Sequence, residues 1–311
     1  MPSFSGKCTN PQLGGAIVAS LVALSLASMS LGHAAPAEDP AKDTSSAASK
    51  PAPSKCDRSK FRTILDVGHT AKSPGASSSR NVDEFEFNLR LAKRIGEKLK
   101  ADGFGETTVL VTEGKAKPSL MKRVAVANKA NPDLLLSIHH DSVPDGFLED
   151  WEFEGKPRHF SDKFNGYSVF VSEQNPHFKA SLMFARMLGN QMAARDQQFA
   201  RQYDQLFMGK YQRQLLDIDA GVYRYDELIV LRKTQMPAVL LEAGSIINRD
   251  EELVMDSPEY RDLVSAAVAS AVAEFCDTRT PAEPRIAQPQ ISQPQVSRPK
   301  PQVSRRSARK R

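Results

Sequence analysis

The chain has 311 residues, 40% of them hydrophobic and 25% charged, with a formal net charge of +5. That composition is ordinary for a soluble globular protein and can build one large domain or two small ones around a sizeable core. The positive charge sits at one end: residues 279–311 carry nine Lys or Arg against Glu283, a net +8, which leaves −3 for residues 1–278. Basicity therefore belongs to the tail, and a nucleic-acid partner for the folded part finds no support.

Taken in chain order, residues 1–35 read as a signal peptide. Lys7 precedes an apolar, small-residue run from Gly14 to Gly32, followed by Ala34, Ala35 and Ala37. Ser20, Ser25, Ser28 and Ser30 interrupt the run, which argues against a retained membrane anchor, and Cys8 lies before it, wrongly placed for a lipid-modified mature N-terminus. The expectation is a soluble exported protein, periplasmic or secreted, with no membrane span. Residues 36–58, rich in Ala, Pro, Ser and Lys, read as a flexible linker, and residues 59–278 as one domain. Residues 279–311, in which Gln-Pro-Gln-Ile-Ser is echoed twice, read as a disordered basic Pro/Gln-rich tail. Such a tail either adheres to anionic wall polymer or lipid headgroups through screened charge or is a solvated extension. Cys56 and Cys276 flank the domain, and in an oxidising compartment they can close a disulfide; two thiols that never meet are the alternative.

Within the domain, Arg62–Val67 and Asp133–Ile138 read as buried strands, with Val109–Thr112, Tyr167–Val171, Glu227–Leu231 and Ala238–Leu241 as further candidates. Phe85, Leu89, Ala92, Ile95 and Leu99 fall three and four apart and place one apolar stripe on a helix, with Asp83 as its cap. Helices are also expected over Ser119–Lys129, Lys179–Met192 and Pro258–Phe275. Strands alternating with helices predict an α/β fold: a single-domain, mostly parallel twisted sheet with helices on both faces.

Three histidines end two of these strands. Gly68-His69 follows the first and His139-His140 follows Asp133–Ile138, so their imidazoles emerge at carboxyl ends of strands, where open α/β sheets bind ligands. Glu84, in the first turn of the Phe85–Leu99 helix, can return over the sheet toward His69. Two imidazoles and a carboxylate are a donor set that holds zinc and leaves a position open for water. Glu242 closes Ala238–Leu241 just before Gly244, and a carboxylate ending an apolar run is costly unless something uses it; a loop-capping role is the alternative.

The stretches Ile64 to His69, Asp83-Glu84 with Leu89 and Ala92, Arg123 to Asn128, Asp133 to His139 and Pro237 to Asn248 resemble, in order and spacing, the signature blocks of the zinc-dependent, AmiC-like N-acetylmuramoyl-L-alanine amidases. The resemblance spans roughly Arg62 to Phe275. It implies a phosphorylase/hydrolase-like fold, zinc held by His69, Glu84 and His139, and Glu242 as the catalytic carboxylate. Glu84 matches the family's spacing to Leu89 and Ala92, and Glu86 is its rival. The family's usual Asp-Pro-Gly-His-Gly-Gly is here Asp66-Val67-Gly68-His69-Thr70-Ala71, and His140-Asp141 replaces a small residue and Asn. His140 is a substrate contact, a group supporting the ligands or a turn residue.

The implied activity is hydrolysis of the amide between N-acetylmuramic acid and L-alanine in peptidoglycan, in wall remodelling and daughter-cell separation. The expected substrate is peptidoglycan, and the expected acting species is a monomer. In similar amidases an inserted segment blocks the zinc until an activator protein displaces it, and Asp141–Asn165 is long enough for that role. Two other readings stay open: a zinc peptidase cutting within the stem peptide and a non-catalytic wall-binding protein. A serine or cysteine hydrolase, the third rival, is disfavoured because Cys56 and Cys276 border linkers and no Gly-x-Ser-x-Gly elbow is present.

Overall fold

A computed structural model describes residues 56–279. The expected signal peptide, most of the linker and all of the tail beyond Arg279 lie outside the described residues.

Nine strands and six helices form the described part. Strand β1 (Thr63–Val67) is buried along its whole length, which only a strand covered on both faces can be, and it leads through a loop into α1 (Glu84–Ala101). β2 (Thr107–Leu110), α2 (Ala116–Ala130) and β3 (Leu134–Asp141) follow, then a hairpin of β4 (Glu149–Phe153) and β5 (Lys156–Phe160). β6 (Ser168–Val171), α3 (Phe178–Ala193), β7 (Gln214–Asp217), β8 (Val222–Arg224) and α4 (Ile229–Lys233) come next. β9 (Ala238–Ser245), α5 (Arg249–Asp256) and α6 (Pro258–Thr278) complete the order.

The main sheet runs β2-β1-β3-β9-β6-β8-β7. Pairs β1/β2, β1/β3, β3/β9 and β6/β8 are parallel, whereas β6/β9 and β7/β8 are antiparallel, so the sheet is mostly parallel as expected. Side chains alternate between its faces. Leu65, Val67, Leu136, Ile138, Val239 and Leu241 pack with α1, α3 and α6 on one side. Ile64, Leu135, Phe170, Leu240 and Tyr223 pack with Ala127 of α2 and Leu231 of α4 on the other. Both faces being covered is what turns these strands into nearly unbroken apolar runs.

Several expectations need correction. β3 and β9 each extend past their apolar runs, so His139, His140 and Glu242 lie within strands rather than after them. Glu227–Leu231 is not a strand: its second half begins α4, whose last carbonyls are taken by the side-chain amide of Asn175, donating to Leu231, Thr234 and Met236. A five-residue apolar run carries too little periodicity to separate the two outcomes. Asp83 occupies the cap position of α1, but its side chain caps nothing. Instead the loop carbonyls of Ala76 and Pro74 accept from the Glu84 and Phe85 N–H groups at 2.9 Å each, satisfying first-turn donors that a cap would otherwise serve. The β4–β5 hairpin turns through Glu154 and Gly155, both at positive φ, the geometry that suits a two-residue hairpin loop.

Cys56 and Cys276 are joined in a disulfide with Cα atoms 5.5 Å apart, and the Cys56 N–H donates to Asp277. Cys56 and Arg58, assigned by composition to the linker, are thus part of the described fold, and Arg279 donates to the Asp133 carbonyl at 2.7 Å. The bridge closes a loop of 220 residues. Replacing both cysteines by Ser is expected to lower stability by about 2–5 kcal/mol, read as an earlier urea midpoint; an unchanged midpoint would contradict that role.

Candidate active site

β1 and β3 lie side by side, with Val67 opposite Ile138, so the residues leaving their carboxyl ends arrive together. His69 Nε2 stands 2.9 Å from Glu84 Oε2, and His139 Nδ1 stands 2.9 Å from Glu84 Oε1. One donor atom from each of the three lies within 4.8 Å of the others. Gly75, at φ 87°, passes so close that a Cβ there would run into the Glu84 carboxylate and the His69 ring. Likewise a Cβ on Gly68 would meet the His139 ring at 2.6 Å. Both glycines are the condition for this convergence, because the backbone itself forms part of the cradle.

His69 has a left-handed backbone, φ 65°, a conformation that a non-glycine residue keeps only when its surroundings impose it. The imposing group is Arg123 of α2, fully buried, which donates from its guanidinium to the His69 carbonyl and from Nε to Thr112 Oγ1 at 2.9 Å. Arg123 lies 3.5 Å from the equally buried Asp66, which accepts from Ser137 at 2.8 Å. Burial pushes the Asp66 carboxyl up despite the guanidinium beside it.

Glu84 is held on every side. It accepts from the Ala76 N–H at 3.2 Å and from the Asn88 side chain at 3.0 Å, one helical turn along α1. Asn88 in turn meets His140 Nδ1 at 2.8 Å. Burial alone would raise the Glu84 carboxyl, but the two imidazoles outweigh it and hold the group well below the carboxylate range. Burial pushes the His139 imidazole down although Glu84 opposes it, and pushes buried His140 down to about 3. Glu86, two residues from Glu84, is exposed on the other side of the helix.

Glu242 pairs with His139 across the β3/β9 ladder, placing it one strand from the cluster. Immediately after it the register shifts, a bulge of the kind that redirects side chains at sheet ends. Its Oε2 is buried without a hydrogen-bond partner. Burial, then the nearby charges of Asp141 and Glu84, raise its carboxyl well above the ordinary value. Asp141, pushed up to about 7 chiefly by burial, accepts from the Tyr203 hydroxyl. Glu242 thus presents an unpartnered carboxylate oxygen beside the cluster of donors.

All four residues singled out in the sequence are thus gathered at one rim of the sheet. Of the three readings of His140, its contacts agree with a group supporting the ligands and not with a turn residue: it is buried, packed on Phe87 at 5.5 Å, and meets Asn88, which donates to Glu84. Asn88 and Arg123 were not read as site residues. The only sequence signal for Asn88 was a polar residue on the buried stripe of α1, four positions after Glu84.

Fold and geometry together define an α/β protein whose strand ends carry a His-Glu-His cluster able to hold a metal ion, with a free carboxylate alongside. Residues 63–274 match the family model described as N-acetylmuramoyl-L-alanine amidase, and the chain belongs to that family. It is 24% identical over 221 residues to a putative N-acetylmuramoyl-L-alanine amidase of Buchnera aphidicola, covering 68% of this chain and 94% of that protein. It is 25% identical over 277 residues to the N-acetylmuramoyl-L-alanine amidase AmiA of Salmonella typhimurium, covering 82% and 88%. Among solved structures, the fold is similar to Ami1 of Mycobacterium smegmatis, with a TM-score of 0.54, 22% identity, and coverage of 71% of this chain and 98% of that one. It is also similar to the catalytic domain of CwlV from Bacillus (Paenibacillus) polymyxa, with a TM-score of 0.51, 25% identity, and coverage of 70% and 99%. The chain is an N-acetylmuramoyl-L-alanine amidase acting on peptidoglycan.

Proposed function

We infer that this amidase is zinc-dependent, with His69, Glu84 and His139 holding the ion and Glu242 carrying the proton. The observation that carries this reading is the convergence of three donors of zinc-binding type, with Glu84 further held by Ala76 and Asn88, beside a Glu242 whose Oε2 is unpartnered. Two imidazoles and one carboxylate within 4.8 Å fit that ion.

When bound, zinc supplies Lewis acidity, which raises the acidity of water and draws electrons from the scissile carbonyl. Glu242 takes a proton from the attacking water and delivers it to the alanine nitrogen as the carbon–nitrogen bond breaks. The water oxygen ends in the new lactyl carboxylate, and the peptide leaves with a free amine. Its Oε2, without a partner among the described residues, is available to hold the proton between the two halves of that transfer. Asn88 and His140 keep Glu84 aimed between the two imidazoles.

Asn88→Ala removes a donor that orients a ligand without touching the ion. It is expected to weaken zinc binding by about 10–100-fold, measured by competition with a chromophoric chelator; unchanged affinity would contradict the positioning role.

Export follows from the N-terminal segment, so the proposed site of action is the periplasm or the outside of the cell. The long connection after β3 is proposed to face an activator. Its β4–β5 hairpin is fastened by the Trp151 indole donating to the Ser79 carbonyl at 3.2 Å, and by Arg249 lying over Phe160 and pairing with Asp162. Among the described residues these fastenings involve none of His69, Glu84, His139 and Glu242.

The test of the whole reading is product analysis on purified sacculi. Intact stem peptides with a new free alanine amine, abolished by a chelator and restored by zinc, are expected. Cleavage within the peptide, or full activity after metal removal, would refute it.

A further inference from the structure

A cavity of about 250 Å³ opens beside Glu242 on the side away from the His-Glu-His cluster. Across the sheet the order is β1 and β3 with the cluster, β9 with Glu242, then β6, β8 and β7. Phe170 of β6, Tyr225 just after β8 and Arg213 just before β7 line the cavity together with Tyr203 and Glu242. The rings pack edge to face, Phe170 against Tyr203 at 5.3 Å and against Tyr225 at 5.8 Å, so the walls on that side are aromatic, while Asp141 joins Glu242 on the opposite side.

Arg213 is out of keeping with those walls. Its guanidinium lies 3.7 Å from the centre of the Tyr225 ring. Its side-chain hydrogen bonds go only to the carbonyls of Lys210 and Gln212, both from Nη1, while Nε is buried without a partner. Among the described residues it enters no ion pair, so its charge is not neutralised by a carboxylate of this chain. A stacked guanidinium with unused donors is suited to a planar carboxylate.

The reaction sets which part of the substrate comes here. The scissile nitrogen must sit against Glu242, and the carbonyl on the side of the cluster, so whatever is attached to nitrogen extends toward β6, β8 and β7. We propose that this cavity receives the peptide leaving group and that Arg213 selects stem peptides by pairing with one of their carboxylates. The proposal rests on the amidase reading and adds a specificity residue to it.

The test uses two soluble muramoyl-L-alanyl peptides of one sequence, one with free peptide carboxylates and one with them converted to carboxamides. The wild-type enzyme is expected to cleave the carboxylate form with at least tenfold higher kcat/KM, mostly through KM. Arg213→Gln should bring the carboxylate form down to the carboxamide level and leave the latter unchanged, and Arg213→Lys should restore part of the preference. Calorimetry with the free peptide product alone should show the same loss of affinity in Arg213→Gln, independently of turnover. Equal cleavage of the two substrates by the wild type, or an equal fall on both in Arg213→Gln, would overturn the proposal. Cleavage of neither by the zinc-loaded wild type would overturn the amidase reading, and this proposal with it; that result is distinct from equal cleavage of both.

Discussion

Glu242→Gln is expected to slow hydrolysis of the muramoyl amide by roughly 10²–10⁴-fold while one zinc per chain stays bound. The substitution keeps the size of the side chain and removes only its ability to accept and return a proton. Glu242 lies one strand from the cluster, opposite His139, and its Oε2 has no partner among the described residues, so no structural bond is lost with the charge. Metal content by elemental analysis and amine release from sacculi separate the two effects. A Glu242→Gln enzyme with wild-type turnover would remove this residue from the mechanism, and one that had lost its zinc would make Glu242 a ligand instead.

Glu84→Gln is expected to abolish zinc binding and reduce amide hydrolysis to background, whereas Glu86→Gln leaves both unchanged. Glu84 is 5% exposed, reaches both imidazoles at 2.9 Å, and is the one negative charge among the three donors. A carboxamide in its place keeps only one neutral oxygen as a donor to the ion and turns an N–H group, which cannot ligate, toward the other histidine. Glu86 points to solvent, and substitutions at such positions ordinarily change stability by no more than about 0.5 kcal/mol. Zinc titration of the pair therefore decides between the two glutamates that sequence spacing alone left as rivals. Retained zinc in Glu84→Gln would overturn the assignment.

The parts of this molecule legible in its sequence are those whose pattern has one physical cause. β1, β3 and β9 are buried on both faces, so each shows as an apolar run, and the polar residue that ends each run is where the sheet rim places a side chain. That is why His69, His139 and Glu242 stood out. α1 was visible through its stripe, and α6 through Pro258 at its start, with Ser257 accepting from the Tyr260 N–H.

What escaped depended on partners distant in sequence. β7 and β8 are four and three residues long and take their places only because β6 offers an edge. The β4–β5 hairpin alternates exposed with half-buried residues, and its Glu154-Gly155 turn lacks the Asn-Gly signature. Arg123 opened one of the signature blocks but carried no role there, because its pairing with Asp66 and its hold on the His69 carbonyl span 57 and 54 positions. His140 was equally opaque: whether a histidine next to a ligand is at a turn or buried depends on how far the strand runs, and β3 continues to Asp141.

The most direct measurement is the position of the ion itself. Anomalous scattering at the zinc edge from crystals of the wild-type protein should give one peak per chain, within about 2.0–2.2 Å of one atom each of His69, Glu84 and His139. A zinc peak bound elsewhere, or a fully active crystal form with no peak at these three side chains, would contradict the account.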